Sequence, residues 1–136
     1  MMIPAQPNSF KYIGYKSINK NIIGSNCITS LCRDHEGILW IGTDNDGIYG
    51  ITTELKQKVH YAPHDSPSSV PSTVFGLYED SEHNLWFGSY TNGLGRLDKK
   101  TGQCSYLQNL TDKNGNRIQR VYDLVEDQDK RLWIAT

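Results

Sequence analysis

Three aspartates, Asp34, Asp80 and Asp127, stand 46 and 47 residues apart, each six residues ahead of a tryptophan: Trp40, Trp86 and Trp133. A ring of such carboxylates could hold a metal ion or a ligand. The same carboxylates could instead accept backbone N–H groups within a tight turn. One identical residue per copy is the mark of a scaffold, because function usually sits in residues that differ between copies. The turn role is therefore the expectation for all three.

Other chemistry-bearing residues are weaker as a set. Asp44-Asn-Asp46-Gly47 resembles part of a calcium loop. Placing Gly47 at the invariant glycine of an EF-hand puts Gly42 at the first ligand position and Thr53 at the last, so both essential carboxylates are missing. The second copy has Tyr90-Thr-Asn-Gly93 there, with no acid. His60 and His64, with Asp65 and Ser66, suggest metal ligands or a hydrolytic group. No third ligand is near in sequence, and a triad is defined by geometry, not adjacency. They are expected to be loop residues on a ligand-facing rim. His35 and His83 read as solvent-exposed turn residues, and Cys27, Cys32 and Cys104 as small buried or half-buried fillers. Asn109-Leu-Thr111 is a glycosylation sequon by pattern only. These readings give no catalytic residue, no metal site and no cofactor, and leave the ligand-contact residues unassigned.

The elements that must carry these groups come from a repeat. Ile28-Thr-Ser-Leu31-Cys-Arg-Asp34 leads into Gly37-Ile-Leu39-Trp40-Ile41-Gly42-Thr43 and Gly47-Ile48. Val74-Phe-Gly-Leu77-Tyr-Glu-Asp80 leads into Leu85-Trp86-Phe87-Gly88-Ser89 and Gly93-Leu94. Val121-Tyr-Asp-Leu124-Val-Glu-Asp127 leads into Leu132-Trp133-Ile134-Ala135-Thr136. In the first copy, strands are expected at 28–33, 38–43, 48–52 and 57–61, with the Asp34–Gly37 and Asp44–Gly47 turns between them. The fourth strand of the second copy ends at Tyr106. Four short strands in about 46 residues, repeated, make a β-propeller blade.

The segment 38–43 is apolar on both faces, so it must be covered on both faces, as a blade between two neighbours is. Gly42, Gly88 and Ala135 share one small-residue slot, onto which a large residue of the adjacent blade is expected to pack. The fold class is thus all-β: a partial propeller with two complete four-stranded blades and the start of a third. Its divisions are an N-terminal segment 1–27, with a strand belonging to a neighbouring or closing blade, blade 1 with its loop at 28–73, blade 2 with its loop at 74–120, and a truncated blade 3 at 121–136. The repeated structural residues are Asp34, Gly37, Trp40, Gly42, Gly47, Asp80, Trp86, Gly88, Gly93, Asp127 and Trp133.

Composition limits the function classes. Charged residues form 21% of the 136 residues and sum to a net charge of −1, which argues against a basic nucleic-acid surface and against an acidic tail. No apolar run is long enough for a bilayer-spanning helix. Met1 to Phe10 has neither the cationic nor the apolar region of a secretion signal. Three cysteines without C-x-x-C spacing support neither a disulfide scaffold nor a zinc ribbon. Three alanines against twelve glycines and eight tyrosines suit strands and turns.

The repeat resembles that of the two-component regulator propeller family, approximately V-x-S-[IL]-x-x-D-x-x-G-x-[IL]-W-[IF]-G-T followed by G-[IL]. Asp34, Gly37, Leu39, Trp40, Gly42, Thr43 and Gly47 match it, as does the inter-blade stretch Tyr61-Ala-Pro-His-Asp65-Ser-Pro. The chain departs from the pattern at His83 and Lys130, which replace the turn glycine, with Asn84 available to take a left-handed conformation instead, and at Ala135. Phe10-Lys-Tyr-Ile-Gly is similar to the way the first propeller of these proteins begins. The resemblance implies the extracytoplasmic, periplasmic sensor region of a bacterial hybrid two-component histidine kinase. Such a sensor commonly controls carbohydrate use through a phosphorelay, with an immunoglobulin-like module, a membrane helix, a kinase and a response regulator downstream. The implied partners are the remaining blades of the propeller, an oligosaccharide ligand, and a second receptor copy in a homodimer, with no nucleic acid bound by this segment.

No kinase histidine or receiver aspartate is identifiable here, so the segment itself is expected not to be an enzyme. The variable loops 44–46, 62–73, 90–92 and 107–120, with Tyr90, Tyr49, Arg96, His64 and Arg120, suit a sugar ligand and are equally ordinary surface. Two alternatives are a propeller-fold carbohydrate-active enzyme fragment, which would need paired carboxylates converging on one face, and a protein-interaction scaffold. Terminal blades would present faces meant for a neighbour, so the isolated chain is expected to be marginal, aggregating or self-associating.

Overall fold

The computed structural model describes residues 23–54 and 56–136. The N-terminal strand expected before residue 28 falls mostly outside them; residues 23–27 form no strand. Ten strands follow in order, with no helix among the described residues: β1 (Ile28–Arg33), β2 (Leu39–Thr43), β3 (Ile48–Ile51), β4 (Gln57–Tyr61), β5 (Val74–Glu79), β6 (Leu85–Ser89), β7 (Leu94–Leu97), β8 (Cys104–Tyr106), β9 (Asp123–Glu126) and β10 (Leu132–Ala135).

These strands make two four-stranded antiparallel sheets, β1-β2-β3-β4 and β5-β6-β7-β8, and a hairpin of β9 and β10. Each is a meander, so every strand pairs with its neighbour in sequence. β1 packs on β5, and β5 on β9, which stacks the sheets face to face through their first strands. The expected second and third strands are each one residue shorter than read, starting at Leu39 and ending at Ile51. The open stack is a segment of a propeller.

Burial follows the stacking. Trp40, Ile38, Ile48 and Val70 pack against Val74, Leu77, Leu85, Phe87, Leu97 and Cys104 to form a core between the first two sheets. Leu94, Val121 and Leu124, with Trp86, Ile118 and Ile134, fill the second interface. Ile23 lies on the far face of the first sheet with Ile41, Tyr49 and Ile51. The three tryptophans show the progression: Trp40 is 2% exposed and Trp133 is 59% exposed.

The small-residue slot meets the adjacent blade as expected, but through a valine and its backbone instead of a large side chain. A Cβ on Gly88 would lie 2.1 Å from the Val121 carbonyl oxygen, and one on Gly42 would lie 3.2 Å from that of Val74 and 2.4 Å from Ser30 Oγ. At Gly88 the next sheet's backbone fills the slot; at Gly42 Ser30 of the same sheet crowds it first, with the Val74 side chain of the next sheet at 3.1 Å. Val121 N–H also donates to the Ser89 carbonyl at 3.1 Å, so sheets are joined there by main chain as well as by packing.

Candidate functional site

Each repeat builds the same turn after its first strand. Asp34 Oδ1 accepts the backbone N–H groups of Glu36 (3.0 Å) and Ile38 (2.8 Å), while Oδ2 accepts the indole N–H of Trp40 at 2.8 Å. Asp80 does the same for Glu82, Asn84 and Trp86, and Asp127 for Asp129, Arg131 and Trp133. One carboxylate therefore closes the turn and fixes the ring that fills the next interface. Asp112, in the loop 107–120, builds a further copy with Asn114 and Asn116 and no tryptophan, closed by a bridge between Thr111 and Arg117.

The left-handed position of this turn is Gly37 (φ 83°) in the first copy, and His83 (φ 67°) and Lys130 (φ 61°) in the others. Asn84 does not take over that conformation. The cost of about 1 kcal/mol or more for a side chain there is borne by His83 and Lys130 themselves. At the other end of the sheets, Thr43 and Ser89 donate to the carbonyls of Gly47 and Gly93 and accept the N–H groups of Asp46 and Asn92.

The sheets are latched at the edge where these aspartate turns lie. Glu79, the last residue of β5, accepts His35 N–H at 2.7 Å, and its Oε1 lies 2.8 Å from His35 Nδ1. Lys99, in the β7–β8 turn, reaches Glu79 Oε1 at 2.7 Å and Asp34 Oδ2 at 3.3 Å. The Tyr61 hydroxyl donates to the Lys99 carbonyl at 2.8 Å. His35 and His83 are exposed, as read, yet stack on each other with centroids 3.7 Å apart and planes 23° apart. The second interface repeats the latch in simpler form: Glu126 accepts Ser81 N–H at 2.8 Å and the Ser81 hydroxyl at 3.0 Å.

Charge and hydrogen bonding set the titration of this edge. Burial alone would raise the Asp34 pKa, but the Trp40 and Ile38 hydrogen bonds and the Lys99 charge outweigh it and hold the carboxyl below the usual range. Glu79 is depressed in the same way, with Lys99 and His35 outweighing burial. Burial lowers the Lys99 pKa less than its two carboxylate partners raise it, so the ammonium stays charged. The Asp127 carboxyl is held at about 2, first by the Trp133 indole.

An open cleft of about 640 Å³ lies between the first two sheets here, lined by Trp40, Lys58, Tyr61, His83, Lys99 and Lys100 among others. Lys99, Lys100 and His83 also line a neighbouring cleft of about 600 Å³ with Arg96. The variable loops at the opposite edge frame a third, of about 560 Å³, between 24–27 and 44–46.

The two histidines expected on the rim have different partners. His60 is a β4 residue, not a loop residue, stacked on Tyr49 with centroids 3.9 Å apart and bonded through Nε2 to the Asp46 carbonyl. His64 instead bonds Ser69. Arg120 lies over the Tyr90 ring at 4.6 Å, joining two of the variable loops. Cys104 is buried, its thiol pushed up to about 12, and Cys32 is half-buried, but Cys27 is exposed. The cleft at the aspartate-turn edge was missed. The signal for it was His83 standing where the repeat calls for glycine.

The family model described as "Two component regulator propeller" matches residues 22–45, 68–91 and 114–136. Among solved structures, the chain is similar to the extracellular domain of the hybrid two-component system BT4673 from B. thetaiotaomicron. That match has 28% identity and a TM-score of 0.65, over 82% of this chain and 15% of that one. It also shares its fold with the extracellular domain of the hybrid two-component system BT3049 from the same organism, at 18% identity and a TM-score of 0.68, over 95% of this chain and 17% of that one. The comparison with curated proteins finds no match.

Proposed function

The chain belongs to the two-component regulator propeller family, and from that premise we propose that it is a stretch of the ligand-sensing propeller of a hybrid two-component regulator, exposed outside the cytoplasm and responsive to a carbohydrate. The observation that carries this reading is the 28% identity, over 82% of the chain, to an extracellular domain of such a system. The chain spans about a sixth of that relative, so the kinase, the membrane helix and the receptor dimer belong to the proposal.

The similar structures are extracellular domains of hybrid two-component systems, and on this reading the segment acts by binding, not by turnover. Tyr61 offers a partly exposed ring in the cleft between the first two sheets, and Lys58 and Lys100 offer exposed donors. Aromatic faces beside hydrogen-bonding groups suit a sugar, whose C–H faces stack and whose hydroxyls bond. A signal then requires that the ligand bind one of two receptor states more tightly, which shifts their populations. Latches such as Glu79–His35 are where neighbouring sheets could move relative to one another.

The test is calorimetric titration of a complete propeller containing this segment against a panel of glycan fragments. Saturable binding without turnover is the expected result. Turnover of any fragment would move the protein to the enzyme class, and silence across the panel would favour a protein-interaction scaffold.

A further inference from the structure

We infer that His35, Glu79 and His83 form a divalent-metal site that fastens the first four-stranded sheet to the second, with Zn²⁺ the ion it suits best. The three residues come from three places. His35 lies in the β1–β2 turn, Glu79 ends β5, and His83 occupies the β5–β6 turn. One ligand atom from each lies within 4.8 Å of the others.

The geometry is close to what zinc needs. Zinc–nitrogen and zinc–oxygen bonds of about 2.0–2.2 Å put ligand atoms of a tetrahedral site roughly 3.3 Å apart. The His35 Nδ1 to Glu79 Oε1 edge is already 2.8 Å. The remaining closure falls to His83, whose exposed ring can turn about a broad terminal torsion. Parallel rings direct their nitrogen lone pairs side by side, so one ring must turn out of the stack to meet the ion. The metal takes the place of the proton between Nδ1 and Oε1; a neutral His35 carries that proton on Nε2 instead, and a protonated one releases it to solvent.

The carboxylate is held for this task. The Glu79 side chain is 9% exposed and is oriented by His35 N–H and by Lys99, the kind of outer support that metal ligands commonly have. Asp34, Glu79 and Lys99 together carry a net charge of −1 with neutral imidazoles, and Glu36, Lys58 and Lys100 line the same cleft, so binding rests on the ligand set and not on the local net charge. Lys99 Nζ lies 2.7 Å from Glu79 Oε1, so it must share that oxygen with the ion or turn aside toward Asp34. Two imidazoles and one carboxylate favour zinc over calcium or magnesium, which take oxygen ligands. The exposed sides of both histidines leave room for water to complete the coordination.

The molecule contains its own control. At the second interface the corresponding residues are Ser81, Glu126 and Lys130. The carboxylate latch persists there, and both histidines are replaced, one by an ammonium. Residues needed only for the propeller scaffold would recur; the pair of histidines does not.

The experiment is equilibrium dialysis of the 136-residue chain against Zn²⁺ in chelator-treated buffer, with circular dichroism as a check on folding. His35→Ser and His83→Lys install residues that this fold already accepts at the second interface. The parent chain is expected to hold one zinc per chain at this site and to gain thermal stability from it. Each variant should weaken that binding at least about tenfold and lose the gain, while Cys27→Ser keeps both. Binding that is absent in the parent, unchanged in the histidine variants, or lost in Cys27→Ser would overturn the proposal.

Discussion

The indole N–H of Trp40 donates to Asp34 Oδ2 at 2.8 Å, and the same carboxylate takes Lys99 of the next sheet at 3.3 Å. A residue that closes a turn in one blade thus also anchors the ring filling the interface and pairs with a charge across it. The carboxylate ring that the sequence offers as a ligand site is occupied within the scaffold, turn by turn. Function is left to the residues that vary around it, of which His35, His83 and Lys99 are the concentrated set.

Removal of Asp34 should therefore cost more than removal of its counterparts. Its side chain is fully buried, and Asp34→Ala leaves two turn N–H groups, an indole N–H and Lys99 short of a partner. Breaking one side of a buried pair costs about 3 kcal/mol. Asp80→Ala, without the cross-sheet lysine, should cost about 1.5–3 kcal/mol. Asp127→Ala, at the exposed turn, should change stability least. Urea midpoints of the three variants check the order.

Acid should loosen the first interface. Asp34 and Glu79 have folded-state pKa values below their ordinary 3.8 and 4.5. A depressed carboxylate contributes stability that is full above its unfolded pKa and is lost as pH falls through its folded pKa. Stability should hold from neutrality down to about pH 4.5 and fall below it. Glu79→Gln should be less stable at neutral pH and show a shallower acid decline, measured by thermal melts across the pH range.

The blade pattern was legible because its signals are local: tryptophan spacing, alternation, and aspartate turns all repeat within the chain. The turn conformation at His83 and Lys130 was less legible, since composition favours Asn84 there; the Asp80 carboxylate bonds the Asn84 backbone and amide, and leaves the left-handed position to His83. The reason for Gly88 was hidden because the group that fills its slot is the Val121 backbone carbonyl, which sequence patterns do not display. The His35–Glu79–His83 cluster was hidden because 44 residues of chain separate His35 from Glu79, and it exists only once the blades stack.

Gly102 should resist substitution for a reason that lies in the other sheet. It sits at φ 75°, and a Cβ there would be 2.3 Å from the Tyr61 ring. Gly102→Ala combines a left-handed penalty with overpacking, about 2–4 kcal/mol in all. Tyr61→Phe keeps the ring and loses only the bond to the Lys99 carbonyl, about 1 kcal/mol. If Gly102→Ala were the milder of the two in denaturant titration, the packing of Tyr61 onto this turn would be wrong.

Self-association should follow from the two end faces. Trp133 and Val125 are 59% and 52% exposed on the last hairpin, and Leu31 is 61% exposed on β1, whereas Trp40, at the same repeat position as Trp133, is 2% exposed. Water-exposed apolar surface of this kind costs about 25 cal/mol per Å², and an indole alone offers roughly 150–250 Å². In a longer propeller a further blade would cover the Trp133 face. In the isolated chain another copy can do so, and head-to-tail contacts of this kind extend or close into rings. Sedimentation velocity should show a weight-average mass rising with concentration, and Trp133→Ser with Val125→Ser should bring it toward the monomer. A single monomeric species across the concentration range in the parent chain would mean that these faces do not seek a partner.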